Sequence, residues 1–153
     1  MSSLTVSIPK EFAYVGAALV STAWLLAYQT IVVDLARHKS GIKYPQLYAE
    51  KEEAEKSFDK KKFNCAQRAH QNTLEQLPLI YVSTLAAGIK YPTFAAAACG
   101  IWVLSRVLYT RGYASGYPER RTLGSAIGSA LGAFPLLFTA TYVAGNAVYS
   151  LLC

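Results

Sequence analysis

Charged residues leave two long stretches of the chain untouched. From Phe12 to Val33 there are 22 positions without Asp, Glu, Lys or Arg, and from Thr122 to Cys153 there are 32. A helix of 22 residues is roughly 33 Å long, about the thickness of a bilayer's hydrocarbon core. Two shorter uncharged runs lie between them, 14 residues from Gln76 to Ile89 and 15 from Tyr91 to Ser105. At roughly 21 Å each, these cross ~30 Å of hydrocarbon only by bringing a polar flank into or near the lipid. The pattern predicts an all-α integral membrane protein. It places four transmembrane helices at about 12–35, 64–89, 92–114 and 122–152, in a single domain over 1–153. Gly41 and Pro45 stop the first helix, and Gly88–Pro92 makes a tight turn between the second and third. Pro78 and Pro135 are expected to kink helices two and four. Residues 1–11 read as a short polar lead, 40–62 as a solvated, charge-rich connector, and 115–121 as a short basic loop. The pentapeptide GIKYP closes both the first and the second helix, which shared helix-stopping chemistry explains.

The polar flanks of helices two and three are the informative part. At about 100° per residue, Arg68, Gln71, Asn72 and Glu75 fall in one narrow stripe, just ahead of the apolar run from Leu77 to Ile89. On helix three, Arg106, Tyr109, Tyr113 and Tyr117 share a face, with Trp102 a turn away. Both polar halves belong to the same end of their antiparallel helices. Ionisable groups at such depth are costly and usually face a bundle interior or a wet cavity. The stripe therefore reads as the binding face for a small, doubly charged ligand, or else as a solvated helix end outside the lipid.

Charge settles orientation more than identity. Only 16% of residues are charged, well below the usual quarter, yet the net charge is +6. Of the 15 Lys and Arg, 13 lie on the side of the first and third loops; Lys10 and Lys90 alone lie on the other. The positive-inside rule puts those two loops in the cytoplasm. The basic residues cluster at membrane ends with no nucleic-acid-binding module around them. The first helix is too long and wrongly flanked for a removable signal peptide. Cys65, Cys99 and Cys153 have no disulfide or metal-type spacing, and Cys153 is an idle thiol or an acylation site. His38 and His70 are too few for a metal site, and no metal is expected. Gly124, Gly128 and Gly132, four apart, permit close helix approach within the chain or between copies.

Two irregular polar segments, FNCAQRAHQNTLE at Phe63–Glu75 and RVLYTRGYASGYPERR at Arg106–Arg121, carry a resemblance. Over roughly residues 10–150 the chain resembles the membrane-associated eicosanoid and glutathione metabolism family, most closely its type-three microsomal glutathione S-transferase branch. The resemblance implies a four-helix bundle assembled as a homotrimer in the endoplasmic reticulum membrane, binding glutathione between subunits near the cytoplasmic face. It implies glutathione contacts at Arg37, Arg68, Gln71, Asn72, Glu75, Arg106, Tyr109, Tyr113 and Arg120, with His70 in the same motif. It also makes Arg120 the thiolate-stabilising arginine, with Arg121 and Arg37 as fallbacks and Tyr113 as a second thiol-directed donor. Two positions depart from the leukotriene-making relatives. His38 stands where they carry a second arginine, and Gln76 stands where several carry tyrosine.

The residue chemistry suits that ligand. Glutathione has two carboxylates and one ammonium, and its nucleophile is the thiolate. Arginine forks match carboxylates, and Glu75, the acid within span two, suits the γ-glutamyl ammonium. The expected activity is a glutathione transferase or glutathione-dependent peroxidase, its second substrate a hydrophobic electrophile or lipid hydroperoxide arriving from the bilayer. The alternatives are a non-enzymatic interaction protein using the glycine-rich helix, and a solute or proton pathway along the Arg68–Glu75 face.

Overall fold

A computed structural model describes residues 9–152, so Cys153 and the first eight residues of the polar lead lie outside the described part. Helix α1 (Phe12–Ser40) begins the chain's long elements; its last turn holds Arg37, His38 and Lys39, and the Arg37 and Lys39 charges suit the C-terminal end of the helix dipole. Gly41 ends it in the left-handed region, φ 70°, where its N–H bonds back to the Arg37 and His38 carbonyls. The helix thus ends where Gly41 is expected to stop it, five residues past the apolar span drawn to 35.

The connector is more ordered than its composition suggests. It contains α2 (Lys51–Lys56), and α3 (Phe58–Lys90) starts six residues earlier than the apolar pattern indicates, taking Lys60, Lys61 and Lys62 into the helix. Lys and Glu favour helix wherever water solvates their heads. Asn64 pins the connector to α3: its Oδ1 accepts from Ala49 N at 2.8 Å and its Nδ2 donates to Ala49 O at 2.9 Å. Val33, Ile42, Ala49, Phe63 and Ala66 form a small core beneath it.

Helix α3 runs unbroken through Pro78. A single residue, Tyr91, separates it from α4 (Pro92–Tyr113), whose first position holds proline, where no N–H is needed. A 3₁₀ turn (Pro118–Arg121) leads into α5 (Thr122–Ile127), a π-helical stretch (Gly128–Ala133) and α6 (Phe134–Leu152), which together form one helical rod. The wide turn falls immediately before Pro135, whose missing N–H breaks the regular ladder. A kink is expected at this proline; the structure has instead a change of helical pitch ahead of it.

Three of these elements are long and apolar enough to cross a membrane: Phe12–Ser40, Pro92–Tyr113 and Pro118–Leu152. Helix α3 falls short of that standard because its first half carries the lysines and the polar stripe. α1 packs on α3 and α4, α3 on α6, and α4 on α5 and the π-helical stretch. Trp102, Ile80, Leu136 and Val15 centre the main core. Large apolar side chains also point outward, Trp24 at 74% and Phe138 at 70% exposure, as expected when the surroundings are hydrocarbon.

The glycine stripe resolves toward packing within the chain. A Cβ on Gly124 would strike the Tyr109 and Ser105 backbone of α4, one on Gly128 the Ser105 side chain, and one on Gly132 would come 2.8 Å from Trp102 Cβ. This face is occupied by α4 and does not offer itself to a partner protein.

Candidate functional site

The stripe on α3 forms a connected polar system. Arg68 Nη1 donates to Glu75 Oε1 at 2.7 Å across two helical turns, and both side chains are about half exposed. Asn72 Nδ2 reaches Glu75 Oε2 at 3.4 Å. The same amide turns its oxygen inward, where Arg106 Nη2 donates to Asn72 Oδ1 at 3.1 Å. Asn72 thus joins the open ion pair to the buried interior.

Arg106 is only 2% exposed. Its Nε donates to Thr73 Oγ1 at 3.1 Å, and its Nη2 reaches Thr73 Oγ1 at 2.9 Å and the Ala69 carbonyl at 3.4 Å. Its guanidinium lies 3.7 Å over the Tyr109 ring. Every one of these partners is neutral, so a full positive charge is held away from water by dipoles and a π face. Such a site is stable only if richly hydrogen-bonded, and it favours an incoming anion.

Arg106 is fixed from behind. Gln29 of α1, fully buried, donates to Thr73 Oγ1 at 2.8 Å and to Thr110 Oγ1 at 2.7 Å. Its carbonyl oxygen accepts from His70 Nδ1 at 3.4 Å. Thr73 donates to Ala69 O at 3.1 Å, so its hydroxyl has no spare capacity. On the flank, Trp102 Nε1 donates to Gln76 Oε1 at 3.3 Å, and Gln76 Nε2 donates to Asn72 Oδ1 at 3.3 Å. Gln76, noted above as a departure from relatives, completes the ring around Asn72.

Aromatic stacking extends the system toward the third loop. Tyr109 and Tyr113 meet edge to face at 5.7 Å, and Arg121 lies 4.6 Å over Tyr113. Arg106, Tyr109, Tyr113 and Arg121 therefore form one ladder. Arg120 is exposed and lies 4.6 Å over Tyr117, one residue outside that ladder.

Arg37 is placed apart from the stripe. It is buried, donates to the Gln46 carbonyl at 2.8 Å, and is sandwiched between Tyr44 at 4.2 Å and Phe63 at 4.5 Å. Gln71 is engaged by Tyr48 of the connector, whose hydroxyl donates to Gln71 Oε1. Burial raises the Tyr48 pKa above its ordinary value.

The expected residues thus divide. Arg68, Asn72, Glu75, Arg106 and Tyr109 are brought into one network and Tyr113 adjoins it; Gln71 shares the face, while Arg37 and Arg120 stand outside. Gln29, Tyr48 and Thr73 were not foreseen. Gln29 had a visible signal, an amide inside an otherwise uncharged membrane span. Tyr48 had none, since a connector tyrosine is unremarkable until its loop folds back.

The family model of the MAPEG family matches residues 14–145, which include the whole of this network. The chain belongs to the MAPEG family. It is also 31% identical over 115 residues to an uncharacterized protein of the cyanobacterium Synechocystis sp., covering 73% of this chain and 76% of that protein. MAPEG proteins are membrane-embedded and include glutathione transferases and related enzymes. The MAPEG chain presents groups of the right chemistry for glutathione: buried and exposed guanidinium groups for carboxylates, a carboxylate for an ammonium, and amides and hydroxyls between them.

Proposed function

We propose that the chain is a membrane-bound glutathione transferase with glutathione-dependent peroxidase activity at the same site, related most closely to the type-three microsomal branch. In this reading four helices cross the bilayer, α3 joining the three apolar ones. Its polar half is tolerated because Arg68, Asn72 and Glu75 are paired with one another and with Arg106. Three copies assemble in the endoplasmic reticulum membrane with the site toward the cytoplasm, an orientation supported by the 13 Lys and Arg on that side.

The observation that carries the reading is Arg106, a desolvated cation surrounded by neutral acceptors. Glutathione offers the missing anion. Arg68 and Arg106 serve its carboxylates and Glu75 its ammonium, while Gln71, Asn72 and Tyr109 fix the peptide groups; Arg37, apart from the stripe within one chain, joins them only where glutathione lies between copies. Arg120 holds the thiolate, with Tyr113 as a second donor to sulfur. Arg121, already over Tyr113, is the alternative within one chain. Lowering a thiol pKa by two units requires about 2.7 kcal/mol of preference for the charged form, within reach of one desolvated guanidinium.

In conjugation the sulfur forms a bond to an electrophilic carbon and the leaving group departs with the bonding pair. In peroxide reduction the sulfur attacks the terminal oxygen, an alcohol leaves, and a second glutathione gives the disulfide and water. The second substrate is a hydrophobic electrophile or lipid hydroperoxide entering from the membrane.

The test is glutathione affinity of the detergent-purified protein together with ultraviolet thiolate absorbance. Arg120→Ala is expected to abolish the absorbance while affinity stays within a few-fold; loss with Arg121→Ala instead would transfer the role. Glu75→Gln and Arg68→Ala are expected to weaken affinity. Unchanged affinity in both would overturn the site.

A further inference from the structure

A cavity of about 420 Å³ opens between the last turns of α1, the first turn of α3 and the end of α4. Its floor is apolar, built from Val32, Leu35 and Ala36 on one face of α1 together with Ala114. Its rim is not. Lys39, one turn beyond Leu35 and Ala36, and Lys62 of α3 stand at its mouth with Asp59 and Ser115.

We propose that this cavity holds one anionic phospholipid, its phosphate between Lys39 and Lys62 and the upper part of an acyl chain along Val32 and Leu35. Three observations carry the assignment. First, the cavity sits at the end of a membrane-crossing helix, where apolar side chains give way to charge, so its apolar floor and cationic rim match the order of acyl chain and phosphate in a lipid. Second, among the described residues neither lysine makes an ion pair; Lys62 has only the Phe58 ring, 4.8 Å from its ammonium. Third, Leu35 is 61% exposed beside the cavity, an apolar surface that hydrocarbon covers and water does not favour.

The remaining rim groups define the selectivity. Ser115 Oγ already donates to the Gly112 carbonyl at 2.6 Å, so the hydroxyl offers no donor to a phosphate. Asp59 belongs to the first turn of α3, where it complements the helix dipole, and it opposes an anion at the rim. Retention therefore rests on the two lysines, and Asp59→Asn should strengthen it. The same phosphate chemistry could come from inorganic phosphate, but the apolar floor commits the site to a lipid.

Native mass spectrometry of the full chain in nanodiscs containing phosphatidic acid and phosphatidylcholine tests this. The wild type is expected to retain one phosphatidic acid per chain in preference to phosphatidylcholine. An interfacial lysine is worth roughly fivefold in binding an anionic surface. Lys39→Gln or Lys62→Gln should thus lower retention about fivefold and the double variant about twenty-five-fold, while Lys51→Gln, an equal charge change elsewhere, leaves it unaltered. Equal retention by the double variant and the wild type would overturn the proposal. So would displacement of the lipid by millimolar inorganic phosphate, or disulfide formation between copies carrying Leu35→Cys, which would show a second copy on the face. None of these readouts depends on glutathione.

Discussion

Asn72 decides how the exposed and buried halves of the site communicate. Its oxygen accepts from Arg106 and Gln76 and its nitrogen approaches Glu75, so among the described residues no other side chain hydrogen-bonds to both the ion pair and the buried cation. Asn72→Leu, similar in size but without polar atoms, removes a hydrogen bond to a charged group, worth about 1.5–3 kcal/mol. Glutathione affinity measured by calorimetry is expected to fall about tenfold or more. Gln29→Leu should act differently. It leaves Thr110 Oγ1 without its donor and takes one of three from Thr73 Oγ1, lowering thermal stability by about 1–3 kcal/mol, with a smaller effect on affinity. Much of this level was legible in the residues themselves. Arg68, Asn72 and Glu75 announce themselves by helical spacing beside an apolar run, and Arg106 as the charge that ends a short uncharged span. Arg37 was not legible, because its partners Tyr44 and Gln46 come from a connector whose fold has no periodic signal.

Among elements, the contact between α4 and the final helical rod depends on missing side chains. Gly128→Leu must displace Ser105, and Gly124→Val meets the backbone of Tyr109, which cannot move aside. Both are expected to cost several degrees of melting temperature or prevent folding, as overpacking of ~1–3 kcal/mol or more implies. Gly145, in the same rod, has open space around its Cβ position, so Gly145→Ala should be neutral or stabilising by up to about 1 kcal/mol. The connector makes a separate prediction. Glu53 accepts from Lys60 Nζ at 2.6 Å, Glu50 N at 2.9 Å and Gln46 Nε2 at 3.1 Å. The Lys60 hydrogen bond is the chief cause of its pKa falling from 4.5 to about 2. Because the folded value is depressed, its contribution is present in full above pH 4.5 and lost as pH falls toward 2. Hydrogen exchange across residues 46–60 should accelerate over that window, and Glu53→Gln should remove the dependence. Composition alone suggested a featureless charged loop; hydrogen bonds within it and from Ala49 and Tyr48 to α3 give it form.

On the scale of the molecule, helix content and membrane character follow from where charge is absent, whereas assembly does not. The Arg68–Glu75 pair is half exposed on one chain, and that openness is what a neighbouring copy would close. Light scattering of detergent-solubilised protein is expected to give three chains per particle, and Glu75→Gln to leave that mass unchanged while weakening glutathione binding.

Only Tyr91 lies between α3 and α4, which has a consequence for biogenesis. As the nascent chain emerges, α3 is made first, so the helix bearing Arg106 reaches the bilayer tethered beside the acceptors on Thr73, Asn72 and Ala69. If α3 crosses the bilayer as proposed, the guanidinium is expected to enter as half of a hairpin, without a solitary stay in oil. Lengthening that link with a flexible spacer should therefore reduce the yield of correctly inserted protein far more than the melting temperature of the molecules that succeed.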